Sequence, residues 1–106
     1  MGVIVVRYTT KPERAEENQA LIEAVFVELA ENKPAGLHYA SYRLADGVSF
    51  IHVASVDTDD GSNPLIAMPA FGAFLQGGGE RCSVLPVAAE ATLVGAYSAD
   101  TPVARS

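Results

Sequence analysis

Between Gly36 and Asp57 the chain reads GLHYASYRLADGVSFIHVASVD, two runs with strand-like alternation on either side of Asp46-Gly47. Asp-Gly at such a junction is a strong hairpin signal, because both residues tolerate the positive backbone angles of a tight turn. The predicted arms are Leu37 to Leu44 and Val48 to Val56. On either side of this hairpin the periodicity changes. Val3 to Tyr8 (VIVVRY) is rich in β-branched residues and reads as a central strand buried on both faces. From Pro12 to about Glu31, Leu21, Ile22, Val25, Phe26 and Leu29 recur at spacings of three and four, the stripe of a helix packed on a sheet. Thr9 or Thr10 offers an N-cap, Glu13, Glu16 and Glu17 suit the positive end of the helix dipole, and Pro34 with Gly36 ends the segment. After the hairpin, Leu65 to Leu75 (LIAMPAFGAFL) reads as a short helical segment interrupted or restarted near Pro69, and Gly77 to Gly79 as a hinge or tight connection. Ala88 to Tyr97 reads as the closing strand, with Gly95 permitting a bulge. The order is βαββαβ, an α+β ferredoxin-like domain over residues 1–98 with a four-stranded antiparallel sheet, followed by a loose tail over 99–106.

With 106 residues the chain closes one hydrophobic core and no second one. Two helices on one face of a four-stranded sheet leave the other face bare, and both faces of the central strands are apolar. The economical cover is a second copy packed sheet against sheet, so a homodimer is expected. The net charge of −6, with only 7 Lys and Arg and those scattered, argues against a nucleic acid or an anionic membrane as partner. The single cysteine, Cys82, rules out an intramolecular disulfide and fits a reducing compartment. The N-terminal apolar run is too short and too soon followed by charge for a leader or a membrane span, which leaves the cytoplasm as the expected location.

The element order, the KPE helix entry at Lys11 to Glu13, the GLHYASYRL and DGVSFIHVAS arms and the MPAFGAFL segment at Met68 to Leu75 together resemble the dimeric α/β-barrel superfamily, and within it proteins similar to antibiotic biosynthesis monooxygenases. The resemblance spans roughly Val3 to Tyr97. It implies a homodimeric α/β barrel holding an apolar or aromatic small molecule, with oxygenation free of metal or flavin as the activity common in the family. The glutamate and tryptophan that usually end the family's third strand are replaced by Ala54 and Val56, and Leu65, Ile66 and Ala67 stand where a histidine often precedes the second helix. The chain has no tryptophan, which argues against the haem-degrading branch. None of the family's catalytic residues is matched.

The chemistry therefore has to be sought residue by residue. His52 lies mid-strand between Ile51 and Val53, where a buried imidazole must find partners for both nitrogens. It is either a general base that deprotonates an acidic phenol or enol, or a core or interface histidine tied to a serine, tyrosine or backbone group. A two-residue loop sets it opposite Ser41, a three-residue loop opposite Ala40. Asn18 continues the apolar stripe of the helix toward the sheet, so its amide either lines a cavity or bonds backbone at the helix end. Tyr8 and Tyr42 are further ligand-binding candidates, with Tyr39 and Tyr97 as other strand tyrosines. Arg7 and Arg43 read as surface or ion-pair residues, His38 as peripheral and Cys82 as a buried filler. Two histidines without adjacent acids make no convincing metal site, the glycines at 77–79 lack the lysine of a phosphate loop, and the loop from Asp57 to Gly61 lacks the later glutamate of a calcium site, so no cofactor or metal is expected. The rival to an enzyme is a non-catalytic ligand-binding or dimerisation module of the same fold, with a regulatory subunit as a variant of it.

Overall fold

The computed structural model describes residues 2–98; the tail expected over 99–106 lies outside them. Strand β1 (Gly2–Thr10) leads through a single 3-10 turn (Pro12–Arg14) into helix α1 (Ala15–Asn32), and β2 (Leu37–Arg43) and β3 (Ser49–Val56) form the hairpin. A second 3-10 turn (Pro64–Ala67), helix α2 (Pro69–Leu75) and the one-turn helix α3 (Gly78–Arg81) precede β4 (Cys82–Ala91). The sheet order is β2-β3-β1-β4, every neighbour antiparallel, with β1 central as its β-branched run requires. The break at Pro69 falls where the sequence places it, since Met68 before the proline is held extended.

The hairpin takes the register that sets His52 opposite Ser41. Its loop is less simple than an Asp-Gly two-residue turn. The Gly47 N–H donates to Leu44 O at 3.0 Å, only Gly47 adopts a positive φ (+79°), and the Asp46 carboxylate accepts from the Val48 and Ser49 N–H groups and the Ser49 hydroxyl. Asp46 serves as an acceptor rather than as a left-handed residue.

Two boundaries differ from expectation. Thr9 and Thr10 remain in β1, where the Thr10 hydroxyl donates to Val48 O instead of capping the helix, so the chain enters α1 through the Pro12 turn with Lys11 as its leading residue. The closing strand starts at Cys82 and stops at Ala91, about six residues before the expected span, because Lys11 N–H pairs with Arg81 O and the ladder begins there, against the end of β1. Of the two readings of the glycines at 77–79, the structure takes the tight connection: Gly77, at φ +74°, starts the α3 turn.

All helices lie on one face of the sheet. There Tyr8, Ile22, Val25, Phe50, Leu65, Met68, Phe74 and Cys82 form the core. Burying a side chain such as Phe50, 1% exposed and stacked on Tyr8 at 5.7 Å, contributes about 1.5–3 kcal/mol. The opposite face carries Val3 and Val5 on β1, Ile51 and Val53 on β3 and Val87 on β4, and Val87 is 66% exposed.

Candidate functional site

Alternation along the strands turns Ile4, Val6 and Tyr8 of β1, His52, Ala54 and Val56 of β3, and Tyr39 of β2 toward the helices, where they meet Asn18 of α1 and Phe71 and Phe74 of α2 around a cavity of about 330 Å³. The walls are mainly apolar. The polar groups gather at one end, where His52, only 5% exposed, has Tyr8 and Tyr39 stacked on either side at 5.4 and 6.0 Å and the edge of Phe74 at 5.4 Å.

One hydrogen-bonded chain runs through this end, and its direction is fixed. The Arg81 guanidinium can only donate, so at 3.1 Å its Nε–H must meet the oxygen of the Asn18 amide. The Asn18 Nδ2 therefore faces Tyr8 Oη at 2.8 Å and donates to it. With its oxygen accepting from Asn18, the Tyr8 hydroxyl gives its own proton to His52 Nε2, 2.8 Å away. His52 is then the Nδ1–H tautomer, donating to the Ser41 hydroxyl at 2.6 Å with Tyr39 Oη at 3.1 Å as a second neighbour. Five side chains, joined by four hydrogen bonds, thus form a single relay from a permanent cation to a serine.

Burial keeps the titratable members of the relay, His52 and Tyr8, neutral. Desolvation lowers His52 from its ordinary value of 6.5 to about 4. It pushes the Tyr8 phenol up to about 12, outweighing the Asn18 donor, which favours the phenolate. Burial likewise raises Tyr39, and Cys82 despite the neighbouring Arg81 cation. At neutral pH the imidazole is uncharged, with each ring nitrogen already hydrogen-bonded. The group bonded to Nε2 is Tyr8, whose phenol can accept a proton on its oxygen while passing its own to His52.

Of the residues singled out from sequence, His52, Asn18 and Tyr8 meet in this relay, and the Asn18 amide faces the cavity side rather than backbone at the helix end. Tyr42 does not join them. It pairs with Ile51 in the ladder, alternation sends it to the other face of the hairpin, and it is 56% exposed, so it does not line the cavity beside His52 as a ligand-binding residue there would. Arg43 bonds Glu16 and Gln19 at the surface, and His38 and Arg7 are exposed. Arg81 went unrecognised as a site residue. Although 3% exposed, it sits in a glycine-rich stretch with no periodicity, and nothing in its sequence neighbours signals burial. Tyr39 and Ser41 could be placed beside His52 only once the hairpin register was known. Among the described residues no group of three His, Cys, Asp or Glu side chains is placed to hold a metal ion, and no helix is long and apolar enough to cross a membrane.

No protein-family model matches the sequence, and no curated protein matches it. Solved structures do. Rv0793 from Mycobacterium tuberculosis is 15% identical with a TM-score of 0.72, over 92% of this chain and 98% of that one. A candidate antibiotic biosynthesis monooxygenase from Nitrosomonas europaea is 10% identical with a TM-score of 0.74, over 90% of this chain and 100% of that one. A further antibiotic biosynthesis monooxygenase is 14% identical with a TM-score of 0.71, over 90% and 100%. At these identities the likeness is one of fold: the chain is a structural match to proteins described as antibiotic biosynthesis monooxygenases, built as the ferredoxin-like βαββαβ domain with a four-stranded antiparallel sheet.

Proposed function

We propose that this protein is a homodimeric α/β-barrel monooxygenase, independent of cofactor, that acts on an apolar or aromatic small molecule in the cavity beside His52. The observation that carries the proposal is the cavity itself: a packed interior would have left His52 a core residue, whereas about 330 Å³ lie against the relay. An acidic CH2 of the substrate, or its enol form, gives a proton to Tyr8 as Tyr8 passes its own to His52. The carbanion or enolate that remains transfers electrons to dioxygen, the co-reactant, and the peroxide anion so formed takes the proton back from the His52 imidazolium through Tyr8 to become a hydroperoxide. Loss of water then leaves a carbonyl, so one oxygen atom ends in product and one in water. His52, lowered to about 4, is a weak base, and the transfer is favoured only as the substrate anion forms beside the new imidazolium. Two copies packed through the bare sheet face would bury Val5, Ile51 and Val53 and close the barrel.

The test is oxygen uptake with a panel of hydroxynaphthalenes and related acidic aromatics. Turnover that falls by ~10² or more in both His52→Ala and Tyr8→Phe supports the relay as proton acceptor. Turnover unchanged in both variants refutes it. The second reading, a ligand-binding module without catalysis, is favoured by the same low basicity and by the occupation of both ring nitrogens. Saturable binding across the panel without oxygen uptake would select it.

A further inference from the structure

We infer that the compound held in this cavity is a monoanion, an apolar body bearing one carboxylate that pairs with Arg81. The inference rests on the ligand-binding reading above and adds the chemical class of the ligand. Arg81 lines the cavity and is 3% exposed, yet every partner it has among the described residues is neutral: the Asn18 amide oxygen, the carbonyls of Phe74 and Gln76, and the face of the Phe74 ring at 5.5 Å. The two carbonyls belong to the C-terminal end of α2 and supply partial negative charge, but a buried guanidinium keeps its full charge and normally has an anion beside it. None is present. The ion pairs among the described residues are Arg14 with Glu17 and Arg43 with Glu16. Glu17 feels the field of Arg81 but is exposed and already held by two hydrogen bonds from Arg14, and Glu80, next to Arg81 in the chain, is also exposed. Tyr8 and Cys82, the acidic groups facing Arg81, are kept protonated by burial.

The guanidinium has five N–H groups, of which Nε–H and one on each terminal nitrogen are engaged. One N–H remains on each terminal nitrogen, which matches the two oxygens of a carboxylate. A phosphate dianion would bring one charge more than this cation neutralises into walls formed by Ile4, Val6, Ala54, Leu65 and Phe71. A cavity of 330 Å³ equals about ten or eleven waters at ~30 Å³ each, the scale of a one- or two-ring body. The chain's own net charge of −6 disfavours loose surface binding of such an anion.

The experiment is a calorimetric titration of the full-length protein with naphthoate and with naphthamide, its neutral isostere, at low and high salt. The guanidinium Nε–H resonance of Arg81 and the methyl resonances of Ile4 and Val6 are followed in parallel by NMR. The expected result is naphthoate binding at least about tenfold tighter than naphthamide, with little salt dependence and with shifts at all three residues. Arg81→Gln should abolish the preference while retaining binding of the amide, and the comparison of the two ligands on the unmodified protein decides the matter even if that variant does not fold. Equal binding, or tighter binding of the amide, overturns the inference and leaves the cavity reading standing. Shifts elsewhere on the surface overturn it too. If neither compound nor neutral methoxynaphthalene binds, both readings fall.

Discussion

The buried imidazole should make this protein lose stability on mild acidification, before its carboxylates titrate. His52 is lowered from 6.5 in the unfolded chain to about 4 in the folded one by desolvation. A group whose folded pKa is depressed leaves the unfolded state binding more protons between the two values, so its contribution is complete above about pH 6.5 and is lost as pH falls toward 4. The full difference is worth ~3 kcal/mol, at 1.36 kcal/mol per pKa unit, and ~2 kcal/mol of it should be gone by about pH 5. Against a domain stability of roughly 5–15 kcal/mol this is a large fraction. The assay is urea unfolding at fixed protein concentration across this range, on the wild type and on His52→Gln. Glu17, Asp46 and Asp60 have carboxyl groups held below their ordinary range by hydrogen bonds from Arg14, Ser49 and Ser62, and their losses come at lower pH and are common to both proteins. His38 is also present in both. The difference between the two pH profiles therefore isolates His52. A wild-type stability that is flat between about pH 7 and 5, or a profile unchanged by His52→Gln, would refute the reasoning.

The direction of the relay requires the Nδ1–H tautomer of His52, which the nitrogen chemical shifts of a labelled sample should report at neutral pH; a proton found on Nε2 would mean that Tyr8 does not donate there. Tyr8→Phe leaves the Asn18 Nδ2–H and His52 Nε2 without partners and should destabilise the fold by ~2–4 kcal/mol in thermal or urea unfolding, less if cavity water replaces the hydroxyl. Gly36→Ala should cost more than Gly47→Ala. Both glycines have positive φ, a strain of ~1–2 kcal/mol for alanine, but a Cβ at Gly36 would fall 2.5 Å from Asp57 O, whereas nothing lies within 4 Å at Gly47. Equal losses would show that backbone conformation alone decides. Val53→Lys, on the bare face beside Val5, should yield a monomer by sedimentation, and a dimer that persists would place the interface elsewhere.

How much of this was legible beforehand depends on the range over which each interaction acts. The hairpin, the amphipathic helix and the restart at Pro69 are set by neighbours a few positions apart, through strand alternation, the 3.6-residue period and the missing proline N–H, and they stand in the sequence. His52 in a strand and Asn18 on the inner stripe of α1 were visible for the same reason, and so was a bare sheet face in want of cover. The register that chose Ser41 over Ala40 was not visible, because Asp46 fixes the loop through acceptor bonds that either loop length would permit. Tyr8, Tyr39 and Tyr42 are alike as sequence, and only pairing to β3 separates the two that flank His52 from the one turned away. Arg81 shows the limit most clearly, since its burial arises from α2, Asn18 and the start of β4 meeting across 63 residues of chain. Local sequence determined the elements and their apolar faces. Tertiary structure alone decided which polar groups meet at the cavity, because a hydrogen-bonded relay is defined by positions in space that no spacing along the chain encodes.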